Sequence, residues 1–287
     1  MHLPPAGVPP LFQIGIKPLD LEHWIDADGQ LSSYLAEKER LALAHPDDVF
    51  AAEAGTEAAQ AEVLALLVEH LPQRFPELYR RDGEAMVAAG RRVTLTGDAP
   101  LRIAAGLVQE DLVLMRRGET DWRLAAGSLS FPSSWHLREK FGRPIHEVHK
   151  PVPGFGAGTR NGQLIARMFD NLRPEMPVIR WNWSVYADAA LHHPPADPLR
   201  FDANVGNAFL RLERQTLRRL PASRDILFTI RIYIDPLAEL ERHSDAPAIA
   251  RGLVERLSAL DAAQLDYKGL TAERDRLVGR LGAIAAR

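Results

Sequence analysis

The chain has 287 residues, 46% of them apolar and 25% charged, and its 35 Lys and Arg against 38 Asp and Glu give a formal net charge of −3. That is enough chain for one large domain or two modest ones with a substantial core. The near balance of charge gives no electrostatic case for nucleic acid or an anionic membrane surface. The absence of cysteine removes disulfides, iron–sulfur clusters, thiolate zinc sites and cysteine nucleophiles together. No run approaches the roughly 20 apolar residues that span a bilayer. The first twenty residues lack the basic start and continuous apolar core of a signal peptide, so a cytoplasmic protein is expected.

In chain order, residues 1–30 read as a Pro-rich arm that ends in a loop marked by Asp26, Asp28 and Gly29. Tyr34, Leu35, Leu41 and Leu43 predict a helix over 33–45 opened by a serine cap. Pro46 ends it, and 47–71 reads as a second, Ala-rich helix. Three short strands are then predicted over 101–108, 111–116 and 122–126, divided by Gln-Glu-Asp and Arg-Gly-Glu turns. The stretch from Phe131 to Phe155 holds His136, His146 and His149, a short helical turn and then Pro151-Val152-Pro153-Gly154. A histidine fixed just before a stiff Pro-x-Pro segment can hold its imidazole at one angle. Helix returns over 160–172, and strands are predicted over 178–186, 209–217 and 226–234. The tail, 236–287, reads as a helical extension with Leu253, Leu257, Leu260, Leu277 and Leu281 on apolar faces. Strands in the middle with helices at both ends indicate an α+β fold in a single domain over 1–287.

Period-two reading of the last two strands places Arg211, Glu213 and Gln215 on one face of the first and Thr229, Arg231 and Tyr233 on one face of the second. If the strands pair so that these faces coincide, they make either a solvated outer face or a polar pocket floor. In the earlier strand Trp181, Trp183 and Val185 share a face opposite Arg180, Asn182 and Ser184. Core packing is the first use of such tryptophans, and stacking on a flat macrocycle the second. His146-x-x-His149, with His136 or Glu139, also has the spacing of a zinc or non-haem iron site, but no H-E-x-x-H arrangement accompanies it. His136, His192 and His193 read as surface loop residues.

Several blocks in this order resemble the haem-dependent oxidative N-demethylase family: IGIKPLD (14–20), VQEDLVLM (108–115), FPSSW with EKFGRPIHEVHKPVPG, RWNW (180–183), and LERQTLRRLP with ILFTIRIY (212–233). Together they cover most of residues 12–235. The resemblance implies a PAS-like antiparallel sheet with flanking N- and C-terminal helices, and haem b as cofactor. The family's histidine stands immediately before its Pro-x-Pro, which makes His149 the implied axial ligand and leaves His146 out. Ser130 departs from a position where relatives often carry cysteine. The implied reaction is oxidative N-demethylation of a small methylated amine, using O2 and releasing formaldehyde.

On that reading Glu213 holds an ammonium substrate or relays protons, Arg231 steadies dioxygen, and Arg214 and Arg180 pair the haem propionates, with Trp183 a stacking candidate. Electrons would come from a separate NAD(P)H- or flavin-type reductase, because no cysteine or flavin motif is present. No nucleic-acid or membrane partner is expected, and a homo-oligomer is compatible with the sequence. The alternatives are a PAS-like haem sensor without turnover and a haem-free scaffold.

Overall fold

The computed structural model describes residues 1–4, 7–194 and 200–287. A two-residue strand, β1 (Lys17–Pro18), precedes α1 (Leu31–Ala44), α2 (Pro46–Val49), β2 (Phe50–Ala52) and α3 (Glu57–Arg74). Next come β3 (Tyr79–Asp82), β4 (Ala85–Ala88), β5 (Arg91–Thr94), α4 (Pro100–Ala105), β6 (Asp111–Arg117) and β7 (Trp122–Ser128). The histidine stretch carries α5 (Leu137–Lys140) and α6 (Ile145–Val148), and α7 (Arg160–Asn171) follows it. Three long strands, β8 (Val178–Tyr186), β9 (Phe209–Arg219) and β10 (Ile226–Pro236), lead into α8 (Ala246–Ser258), α9 (Ala262–Tyr267) and α10 (Arg274–Ala285).

The fold is α+β. A seven-stranded antiparallel sheet has the order β1-β8-β9-β10-β6-β7-β2, and β3, β4 and β5 form a separate three-stranded sheet. Alternation divides the large sheet into two buried faces. One carries Val113, Met115, Leu217, Ile226 and Ile230 and packs with Phe131, Leu137, Ile145, Phe155 and Phe169 from the segment between β7 and β8. The other is covered by two groups of helices. Leu112, Leu114 and Leu227 pack with α3 and α4, whereas Trp183, Leu210 and Leu212 pack with α8 and α10. Among the described residues no helix is long and apolar enough to cross a membrane.

The predicted helix over 47–71 is interrupted, because Phe50–Ala52 extends and pairs with Gly127 and its neighbours on β7. A free sheet edge, with its unpaired backbone groups, outweighs the helical propensity of this segment. The run 101–108 is a helix rather than a strand. Pro100 fits its first turn, and a short apolar run fits either structure. The first predicted helix begins at Leu31, and the Ser33 hydroxyl donates to Gln30 O at 2.7 Å from within its first turn. The Gln-Glu-Asp segment is no surface turn: Gln109, Glu110 and Asp111 are all fully buried. The β3–β5 sheet, opened by Asp82-Gly83, was not among the predicted strands.

Gly127 brings β7 close to the histidine stretch, since a Cβ there would stand 2.9 Å from Leu137 Cδ1. Gly127→Val is therefore expected to push α5 off the sheet and lower stability by roughly 1–3 kcal/mol. A urea titration that places the midpoint at the wild-type value would disprove this packing constraint.

Candidate functional site

A cavity of about 220 Å³ lies between the large sheet and the segment 131–172. Val113, Met115, Leu217, Phe228 and Ile230 form an apolar floor, and Arg180, Asn182, Glu213 and Gln215 continue it as a polar floor. Ile145, Val148, His149, Val152 and Phe155, with Ile165 and Phe169 from α7, make the opposite wall. Phe12 and Ile14 enter from the N-terminal arm, and Tyr267 and Lys268 from the C-terminal helices.

The wall is tied to the sheet at its start. The Asp111 carboxylate, fully buried at the head of β6, accepts the backbone N–H groups of Ser130 and Phe131, each at 2.8 Å. Arg211 completes the clamp by donating to Phe131 O at 2.8 Å and to Ser133 Oγ at 2.9 Å. Burial pushes the Asp111 carboxyl up and lowers the nearby buried Lys38 ammonium to about 8, so each raises the demand for the other's charge.

His149 ends α6, where its own N–H donates to Ile145 O at 3.1 Å. Val152 N then donates to His149 O at 2.9 Å and Phe155 N to Val152 O at 3.1 Å, so successive turns carry the Pro-Val-Pro-Gly run. The ring packs on Phe155 with centroids 6.2 Å apart. Its Nδ1 meets Ile145 O at 2.9 Å, which makes Nδ1 the protonated nitrogen because a carbonyl can only accept. Nε2 keeps its lone pair and has no hydrogen-bond partner among the described residues. Burial lowers the imidazole to about 4; the Ile145 bond opposes this, and Lys140 and Arg180 reinforce it. The side chain is thus a neutral donor at pH 7.

Glu213 sits on β9 opposite Asn182 on β8. Its Oε2 accepts from Asn182 Nδ2 at 3.1 Å and from Gln215 Nε2 at 2.7 Å. Burial pushes the carboxyl up, but Arg211, Lys268 and hydrogen bonds from Ser133 and Asn182 outweigh it and hold it below the usual carboxylate range. Arg180 also lines the cavity. One of its terminal nitrogens donates to Gln13 O at 3.1 Å, and its buried Nε–H has no partner among the described residues.

Of the six predicted site residues, the cavity brings together His149, Glu213 and Arg180. The other three lie on the far face of the sheet. The β9–β10 register pairs Arg231 with Arg214 and Glu213 with Ile232, so the polar sets 211–215 and 229–233 face opposite ways. Arg231 is fully buried between the rings of Tyr34 and Tyr233, 4.3 and 4.5 Å from their centroids, and binds Asp28 at 2.9 Å. Arg214 donates to Trp24 O at 3.1 Å and to His23 O. Trp183 donates to Pro9 O at 2.9 Å inside the C-terminal core. His146 is held by Asp121 at 2.7 Å, away from the cavity, so it does not pair with His149 around an ion. Among the described residues no group of three or more His, Cys, Asp and Glu could hold a metal ion.

Lys268 and Tyr267 carry no sequence signal for a site. Lys268 donates to Trp183 O at 2.7 Å, a contact 85 residues distant in the chain that no local pattern encodes. Asn182 could have been found, because it alternates with the tryptophans of β8 and so had to share a face with Arg180. Ser133 and Lys140 complete the polar lining.

A family model described as haem-dependent oxidative N-demethylase, alpha subunit-like, matches residues 15–278. The match spans the cavity's polar residues from Ser133 to Lys268. The geometry assigns Arg231 to the far-face ionic network. Arg231→Met should leave Asp28 uncompensated and cost roughly 3–5 kcal/mol by urea denaturation. Full stability combined with lost ligand binding would instead return Arg231 to the site.

Proposed function

The chain belongs to the haem-dependent oxidative N-demethylase, alpha subunit-like family, and on that premise we propose that it is a haem b oxidoreductase whose iron is bound by His149. The observation that carries the reading is a neutral imidazole, Nε2 unengaged, in a largely apolar cavity that also contains one buried carboxylate. A haem needs a single protein donor and an apolar surround, whereas a bare ion needs several ligands. The unpartnered Arg180 Nε–H and the ammonium of Lys140 suit the two propionates, since guanidinium and carboxylate are matched donors and acceptors.

When bound, the haem would supply activation of O2 and oxidation of an N-methyl carbon, with two electrons and two protons from outside carrying the second oxygen to water. The hydroxymethyl amine so formed collapses to formaldehyde and the shorter amine. The protein's own groups do the rest. Ile145 O fixes the tautomer of His149, and Phe155 fixes its ring plane. Glu213, held ionised by Arg211, Lys268 and its hydrogen bonds, attracts an ammonium into the polar end. The apolar floor keeps bulk water from the reacting carbon.

A PAS-like reading of the fold is supported by the continuous antiparallel run β8-β9-β10-β6-β7 with helices before and after it. The approach of Lys268 to the cavity supports treating the chain as one haem-binding unit. Electrons are assigned to a separate NAD(P)H- or flavin-type reductase, in keeping with the family's description as a subunit. A charged floor favours turnover over gas sensing.

Protein produced with a haem precursor is expected to show a Soret band that is lost or displaced in His149→Ala. An unchanged band in the variant would remove the ligand assignment. With saturating reductant, the protein should release formaldehyde from a methylated amine. Glu213→Gln should raise KM about tenfold or more, the size of one lost charge-assisted hydrogen bond. Full activity with unaltered KM would remove Glu213 from the site.

A further inference from the structure

Lys268 is a cation with capacity to spare at the polar end of the cavity. Its Nζ donates to Trp183 O at 2.7 Å and, more weakly, to Asn182 Oδ1 at 3.4 Å. That leaves one ammonium hydrogen without a partner among the described residues. The same Asn182 side chain donates from Nδ2 to Glu213 at 3.1 Å. A protein ammonium and a protein carboxylate therefore face one cavity from the two ends of a single amide. Buried charges are tolerated only when paired, and Lys268 has no ion-pair partner within the protein's described residues.

Among the described residues three cations line the cavity: Lys140, Arg180 and Lys268. Lys268 is the one that meets Asn182, the amide that also binds Glu213, while Arg180 donates to Gln13 O and Lys140 to Val148 O. Arg211 is already spent on Phe131, Ser133 and Leu191. A simple alkylammonium drawn to Glu213 would be repelled by Lys268 and would leave it unpaired. A ligand with a carboxylate close to its ammonium would satisfy both groups at once. Resting on the reading of the cavity as an amine-oxidising site, we infer that its substrate class is the N-methylated amino acid, with Lys268 binding the substrate carboxylate and Glu213 the ammonium. Burial lowers Lys268 to about 8, Glu213 opposes this and Arg180 adds to it, so an arriving carboxylate would restore the stabilised cation.

Calorimetric titration of the haem-loaded full chain tests the inference without turnover, using N,N-dimethylglycine and dimethylamine as probes. The wild type should bind dimethylglycine more tightly. Lys268→Met should weaken dimethylglycine about tenfold or more while leaving dimethylamine unchanged or tighter, and Lys268→Arg should restore most of the preference. Equal or tighter binding of dimethylamine by the wild type overturns the inference, and that measurement needs no variant to fold. Equal weakening of both probes in a Lys268→Met protein with a wild-type melting temperature overturns it as well. Glu213→Gln separates the two readings. Loss of both probes supports Glu213 as the ammonium partner. Retention of both, with the Lys268 discrimination intact, removes Glu213 and keeps Lys268.

Discussion

The Asp111 clamp is the contact on which the rest of the site depends. A carboxylate with no exposure to solvent binds two consecutive backbone N–H groups, Ser130 and Phe131, and so fixes where the chain leaves the sheet. Charge-assisted hydrogen bonds of this kind contribute about 1.5–3 kcal/mol each, and a lost partner leaves a buried charge behind. Arg211 grips the following carbonyl from β9, so one strand holds the wall and, two residues on, carries Glu213. The wall that presents His149 and the floor that presents Glu213 thus have a common anchor.

Strand parity decides which charges the cavity receives. Odd-numbered residues of β9 pair with even-numbered residues of β10, which puts Glu213 and Gln215 beside Ile230 and Ile232 on the cavity side. Arg214 and Arg231 fall together on the other side, where the loop before α1 answers them with Asp28, Trp24 O and His23 O. A one-residue slip would exchange the two faces entirely. The two arginines are like charges directly opposite one another, tolerated because Asp28, two carbonyls and the rings of Tyr34 and Tyr233 surround them.

Much of this was legible in the sequence. The alternation in β8, β9 and β10 located all three strands, β8 to its observed ends, and the Pro-x-Pro after His149 does lie in successive turns, although the ring's own hydrogen bond goes back to Ile145 O. The relation between β9 and β10 was not legible, because six residues, 220–225, separate the strands and either parity is compatible with such a connection. Leu101–Val108 was misread for a different reason: eight residues with only one charge carry too little periodicity to separate helix from strand. Gln109, Glu110 and Asp111 look like a turn in one dimension, and it is long-range partners that satisfy them when buried: Lys38, the Asp28 carboxylate and the N–H groups of Asp26, Asp28, Ser130 and Phe131. Lys268 could not be found locally at all.

The reach of Lys268 back to Trp183 bears on the order in which the molecule is put together. Residues 1–236 contain the imidazole, the carboxylate and both apolar surfaces, and chains generally begin folding from the N-terminal side as they emerge from the ribosome. The polar end nevertheless lacks one of its cations until residue 268 has been synthesised and α9 has docked. A nascent chain would therefore assemble the part of the cavity that holds His149 and Glu213 before the part that holds Lys268, so the two ends of the cavity are completed in sequence.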